Sequence, residues 1–158
     1  MSVESEYDRI ARFHENIIIM VGFLGAIVFA GLVLIIQSPD FVLNNPNFHG
    51  AWVNESIRPL QYFQLLLSIL AITVILSATL VIASMSAVTD AEKFSIEGNR
   101  SAIAVIEKFT VANFVLFLVD IYLILVPAIG VVAQVVFLVA LAVASIVFLL
   151  LLWAISRP

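Results

Sequence analysis

The residue best suited to chemistry is Asp120, the one charged residue in the apolar stretch from Phe109 to Val126. An ionisable side chain at membrane depth costs at least ~2.5 kcal/mol on insertion scales. Residues that bring such a cost usually bind an ion, carry a proton or pair with another polar group. Asp120 is therefore the first candidate for a functional residue.

Further polar side chains are expected at the depth of Asp120. Asn113 comes seven residues earlier, so it falls on nearly the same face of a helix. At ~1.5 Å per residue, Asp120 would lie about 10 Å below the outer membrane boundary if its helix ends at Pro127. Neighbouring apolar stretches add candidates near their outer ends, and the sequence predicts that these join Asp120 and Asn113 in one polar layer: Gln37, Gln64, Ser68 and Gln134.

The sequence leaves the role of this layer open. Asp120 is either a buried structural carboxyl, hydrogen-bonded to Gln134 or Ser68, or a group that faces an aqueous path. In an aqueous path it would act as a cation ligand, as part of an acidic ring in an oligomeric pore, or as a proton relay. A contact with a basic residue of a partner subunit is the third interpretation.

Pro127 changes the hydrogen bonding close to Asp120, because proline has no backbone N–H. The carbonyl of Leu123, four residues earlier, loses its helical partner and could join an ion site. The simpler expectation is that Pro127 only ends the helix. Together with Gly130 it would turn the chain directly into the next span.

Four apolar stretches must position these side chains. Of the 158 residues 63% are hydrophobic, and the mean hydropathy is +1.19, whereas soluble domains are about 45–50% apolar. About 20 apolar residues cross the ~30 Å hydrocarbon core. We therefore expect an all-α bundle of four transmembrane helices that forms a single membrane domain over residues 1–158. The predicted spans are about 17–37, 62–86, 106–126 and 131–155, with an outer loop at 38–61 and an inner loop at 87–105.

The basic residues predict the orientation, since cytoplasmic loops are enriched in Lys and Arg. With the N-terminus inside, six of the seven basic residues are cytoplasmic and Arg58 alone is outside. Both termini are therefore expected in the cytoplasm, with the chain in the cell membrane. The six inner residues are Arg9, Arg12, Lys93, Arg100, Lys108 and Arg157.

This topology, with Arg9 and Arg12 before the first span, resembles that of the Orai-type calcium channels. Those channels have basic residues at the inner end of the first span and an acid at its outer end. Here residues 17–37 contain no acid, and Asp40 comes after Pro39. The resemblance covers the topology and no specific motif, so no residue role is transferred from it.

Several classes of function lack the residues that they need. The chain has no cysteine, which removes disulfides, thiol redox chemistry and Cys-ligated metal sites. His14 and His49 are expected on opposite sides of the membrane, which disfavours a His-based metal site. A net charge of −4 with scattered basic residues argues against nucleic-acid binding. With no assembled nucleophile, base and oxyanion donor, we expect neither an enzyme nor a cofactor.

Two patterns concern helix packing. In the first span Gly22, Ala26 and Ala30 recur every four residues, with Gly25 nearby, and such a face lets another helix approach closely in lipid. Packing within the chain is favoured over contact with a second subunit. The N-terminal segment also predicts a short amphipathic helix on the inner surface that leads into the first span; a polar tail is the alternative. Its helically spaced residues are Val3, Tyr7, Ile10 and His14.

The leading functional hypothesis is a homo-oligomeric ion channel or ion-conducting subunit in which Asp120 is the essential carboxylate. Four spans are few for an alternating-access carrier, so transport would need several subunits. The alternative is a non-catalytic accessory subunit of a larger membrane complex. The expected partners are the lipid bilayer and either further copies of the chain or a partner membrane subunit.

Overall fold

The computed structural model of this protein describes residues 3–44, 58–89, 96–125, 135–143 and 146. Its elements are four α-helices: α1 (Val3–Gln37), α2 (Asp40–Leu43), α3 (Pro59–Thr89) and α4 (Ile96–Leu125). Residues 135–143 are helical as well. Throughout the described part the protein is all-α, as the sequence predicts.

Three of these helices are long and apolar enough to cross a membrane. The candidate spans are Ala11–Gln37, Pro59–Val88 and Ala102–Leu125, and each begins before the start predicted from the sequence. Of the fourth predicted span, 131–155, the structure describes only residues 135–143 and 146, which are helical. The chain thus has the helices of a multi-pass membrane protein.

The helices continue beyond the apolar stretches into the predicted loops. α1 runs without a break for 35 residues, so the amphipathic N-terminal segment and the first span form one helix. At ~1.5 Å per residue it is about 50 Å long, well beyond the ~30 Å hydrocarbon core. It ends at Gln37, two residues before Pro39, where proline disfavours further helix. The predicted inner loop is likewise helical up to Thr89 and again from Ile96.

The chain divides into two structural units, each described here by itself. The first unit consists of Met1–Leu34 and Ser68–Phe117, and the second of Ile35–Leu67 and Leu118–Pro158. In the second unit α2 opens the predicted outer loop. There Val42 is fully buried, and the Asn44 side-chain amide donates a hydrogen bond to Asp40 Oδ1 at 2.7 Å.

In the first unit α1 packs against α3 along a seam of buried residues. The seam positions recur at spacings of three or four residues, which is the pattern of helices that pack at a small angle. Contacts of His14 with Ser84 and of Gly25 with Ser77 show that the two helices run antiparallel. The buried positions on α1 are His14, Ile17, Val21, Gly25 and Val28, and those on α3 are Leu70, Thr73, Ser77, Leu80, Ser84 and Ala87.

Candidate functional site in the buried polar residues

Asp120 lies on α4 in the second unit and is only 1% exposed. It belongs to the third candidate span, so its carboxyl group is enclosed by protein at a depth where the helix would otherwise meet lipid. This burial bears on the idea of an acidic ring around an axis between subunits. Such a ring would require the carboxyl group to leave its buried position in each chain.

The other residues of the predicted polar layer lie in different surroundings. Gln64 belongs to the second unit and is exposed, and Ser68 belongs to the first unit and is also exposed. Asn113 belongs to the first unit and is 1% exposed. Gln134 lies outside the described residues. Gln37 is exposed in the second unit as well. Of the five described members, Asp120 and Asn113 are therefore the two whose side chains are buried.

Tyr62 is a buried polar residue of the second unit that the sequence did not single out. Its hydroxyl group donates a hydrogen bond to the carbonyl oxygen of Leu123 at 2.7 Å. This carbonyl is the one that loses its helical partner to Pro127. Tyr62 thus supplies this oxygen with a hydrogen-bond donor from a neighbouring helix. A buried tyrosine needs a partner for its hydroxyl group. The signal in the sequence was the tyrosine itself, near the start of an apolar stretch, which could have indicated a hydrogen bond to a neighbouring helix.

Asn113 pairs with Ser77 inside the first unit. The Ser77 hydroxyl group donates to Asn113 Oδ1 at 3.1 Å, and both side chains are buried. The amide nitrogen of Asn113 is buried without a hydrogen-bond partner. An interhelical hydrogen bond of this kind joins α3 to α4 and defines their register, because a shift of either helix would leave polar atoms unpaired in an apolar interior.

A second buried pair joins α1 to α3. His14 is 0% exposed, and its Nδ1 lies 3.4 Å from the hydroxyl oxygen of Ser84. The sequence placed His14 on the apolar face of the N-terminal helix, and that face continues into the seam. Ser84 and Ser77 are seven residues apart, so both pairs use the same face of α3.

α1 and α3 approach each other closely at Gly25 in the first unit. A Cβ atom added to Gly25 would lie 2.7 Å from Ser77 Cβ, closer than side chains normally pack. At Gly22 an added Cβ would be 3.7 Å from Val81, an ordinary contact, while Ala26 and Ala30 are exposed. Each four-residue step turns a position about 40° around the helix, so the Gly22, Ala26, Ala30 series leaves the seam.

These arrangements limit the chemistry that the described residues can perform. Among them, no group of three or more His, Asp or Glu side chains could hold a metal ion. Among the described residues, the buried acidic and basic side chains are Asp120 in the second unit and His14 in the first. No family model, curated protein or solved structure matches this chain.

Proposed function

We propose that this protein is a multi-pass membrane protein that conducts a cation or protons and that Asp120 is its essential carboxylate. The observation that supports the proposal is the position of Asp120, which is 1% exposed within an otherwise apolar span. A carboxyl group in this position can bind a cation or exchange a proton inside the protein, where lipid does not reach it.

The burial of Asp120 favours one form of the hypothesis. A carboxylate on an axis between subunits would be exposed in a single chain, whereas this one is enclosed. The conducting path would then run through the interior of each chain, and self-association would stabilise the subunits rather than create the path. A structural carboxyl group that only holds α4 in place is the competing interpretation.

The test is ion flux through purified protein reconstituted into liposomes. Wild type, Asp120→Asn and Glu107→Gln should be compared, since Glu107 is an exposed acid on the same helix and its variant removes the same charge. We expect cation or proton flux from wild type and from Glu107→Gln, and none from Asp120→Asn. The proposal is contradicted if the wild-type protein gives no ion flux, or if folded Asp120→Asn gives the same flux as wild type.

The second candidate function is an accessory subunit of a larger membrane complex. It is favoured by the outward faces of the helices, where Ala26 and Ala30 are exposed on α1 beside large apolar side chains such as Phe23 and Ile27. Lipid or a partner helix would cover these faces. Purification from the native membrane in mild detergent separates the candidates: a stoichiometric, unrelated membrane protein supports the accessory role, and a symmetric homo-oligomer excludes it.

A further inference from the structure

His14 is a buried titratable residue that the proposed function does not use. In the first unit its ring is completely buried, packed edge-on to Phe13 with 5.4 Å between ring centroids. Nδ1 faces the Ser84 hydroxyl oxygen at 3.4 Å, whereas Nε2 is buried with no hydrogen-bond partner. Next to the ring lies the apolar cluster around Ile17 and Leu80.

Among the side chains that the structure describes on the helices around His14, none is a buried counter-ion for a positive charge. α3 has no charged residue from Pro59 to Thr89. α4 joins the same apolar cluster through Ile106. The charged side chains described on α1 and on this part of α4 are all exposed: Asp8, Arg12, Glu15, Glu107 and Lys108.

These surroundings suit a neutral imidazole and not an imidazolium ion. A neutral ring has one donor and one acceptor, and Ser84 can satisfy one of them. A protonated ring has two donors, and Ser84 provides an acceptor for one only. A buried charge without a partner is strongly unfavourable, so a second proton requires water at Nε2 or a movement of α1 away from α3.

We propose that His14 is a proton-binding site that controls the packing of α1 on α3 at this end of the first unit. When the imidazole is neutral, the seam is closed and dry. Proton uptake opens the seam around His14 and Ser84 and admits water to Nε2, and proton release closes it again. Acidic conditions therefore loosen this end of the unit, while the seam near Gly25 and Ser77 stays closed. The inference does not depend on Asp120 or on ion conduction.

The opening can be measured with pairs of spin labels, because the chain contains no cysteine of its own. One pair would be placed at the exposed positions Asn16 and Ser86, close to His14, and a control pair at Ile27 and Ile75 on the same helices. Between about pH 8 and about pH 5, where histidine titrates, the first pair should gain a longer-distance population in liposomes. The control pair should not change. His14→Gln, which keeps a donor and an acceptor without a charge, should abolish the change.

Protonation itself can be followed by NMR of ¹⁵N-labelled histidine. The chain has two histidines, so His49→Gln leaves His14 as the only imidazole. The proposal is supported if His14 titrates over the same pH interval in which the label distance changes. This comparison remains a test of the proposal even where His14→Gln does not fold. An imidazole that stays neutral, a label distance that does not respond to pH, or an equal response in His14→Gln overturns it.

Discussion

The Tyr62 hydroxyl group donates a hydrogen bond to the carbonyl oxygen of Leu123 at 2.7 Å, which ties the beginning of α3 to the end of α4 in the second unit. The bond replaces a backbone hydrogen bond, because Pro127, four residues after Leu123, has no N–H to donate to that carbonyl. Leu123 comes three residues after Asp120, so the bond also holds the helical turn that follows this carboxylate. A backbone group in the second unit is thereby satisfied by a side chain distant in sequence.

The first prediction concerns this bond. Tyr62→Phe should lower the free energy of unfolding by about 1–2 kcal/mol, because it leaves a carbonyl unpaired in an apolar environment. Unfolding in mixed micelles, induced by SDS, would measure the change. Pro127→Ala restores an N–H four residues after Leu123, so Tyr62→Phe should cost less in that background. An equal loss in both backgrounds would show that Tyr62 acts through packing and not through this hydrogen bond.

The second prediction compares two glycines on α1. Gly25→Ala places a Cβ atom 2.7 Å from Ser77 Cβ, so α1 and α3 must separate, and we expect a loss of about 1–3 kcal/mol. Gly22→Ala is the matched control, since its added Cβ has an ordinary contact with Val81. Alanine also favours helix by ~0.5–1 kcal/mol over glycine, so Gly22→Ala should be neutral or stabilising. The same SDS titration measures both variants, and equal effects would refute the assigned seam.

A third prediction concerns the pair formed by Ser77 and Asn113. Ser77→Ala removes the donor to Asn113 Oδ1 and should destabilise the fold by about 0.5–2 kcal/mol. Replacing both partners, as Ser77→Ala with Asn113→Leu, should cost less than the sum of the single substitutions, because no buried polar atom is then left unpaired. A double-mutant cycle of unfolding free energies measures this coupling. Strict additivity would mean that the hydrogen bond does not stabilise the protein.

Topology provides a fourth prediction. The predicted orientation puts six basic residues inside and one outside. If it is correct, a cysteine introduced at Asn47 should react with an impermeant thiol reagent added to intact cells. A cysteine at Ser95 should react only after the membrane is permeabilised. Because the chain has no native cysteine, the unsubstituted protein should not be labelled. Labelling of Ser95 from outside would reverse the predicted orientation.

The helices themselves were largely predictable, and the residues that meet between them were not. Apolar length alone located the stretches that became α1, α3 and α4, since about 20 apolar residues match the hydrocarbon core. The four-residue spacing of Gly22, Ala26 and Ala30 suggested a packing face, but the seam on α1 combines steps of three and four residues and brings Gly25 against Ser77. Which of two closely spaced faces packs depends on the partner helix, and no single stretch of sequence contains that information.

The sequence by itself determined that this is an apolar, helical membrane protein with an ionisable residue in its third predicted span. These properties are local, because hydropathy and helix formation depend on residues that are neighbours in the chain. Only the tertiary structure decided that Asp120 is buried, that Ser77 meets Asn113, and that Tyr62 satisfies the carbonyl of Leu123. These outcomes follow from how helices rotate and pair, and contacts between residues more than thirty positions apart decide that rotation.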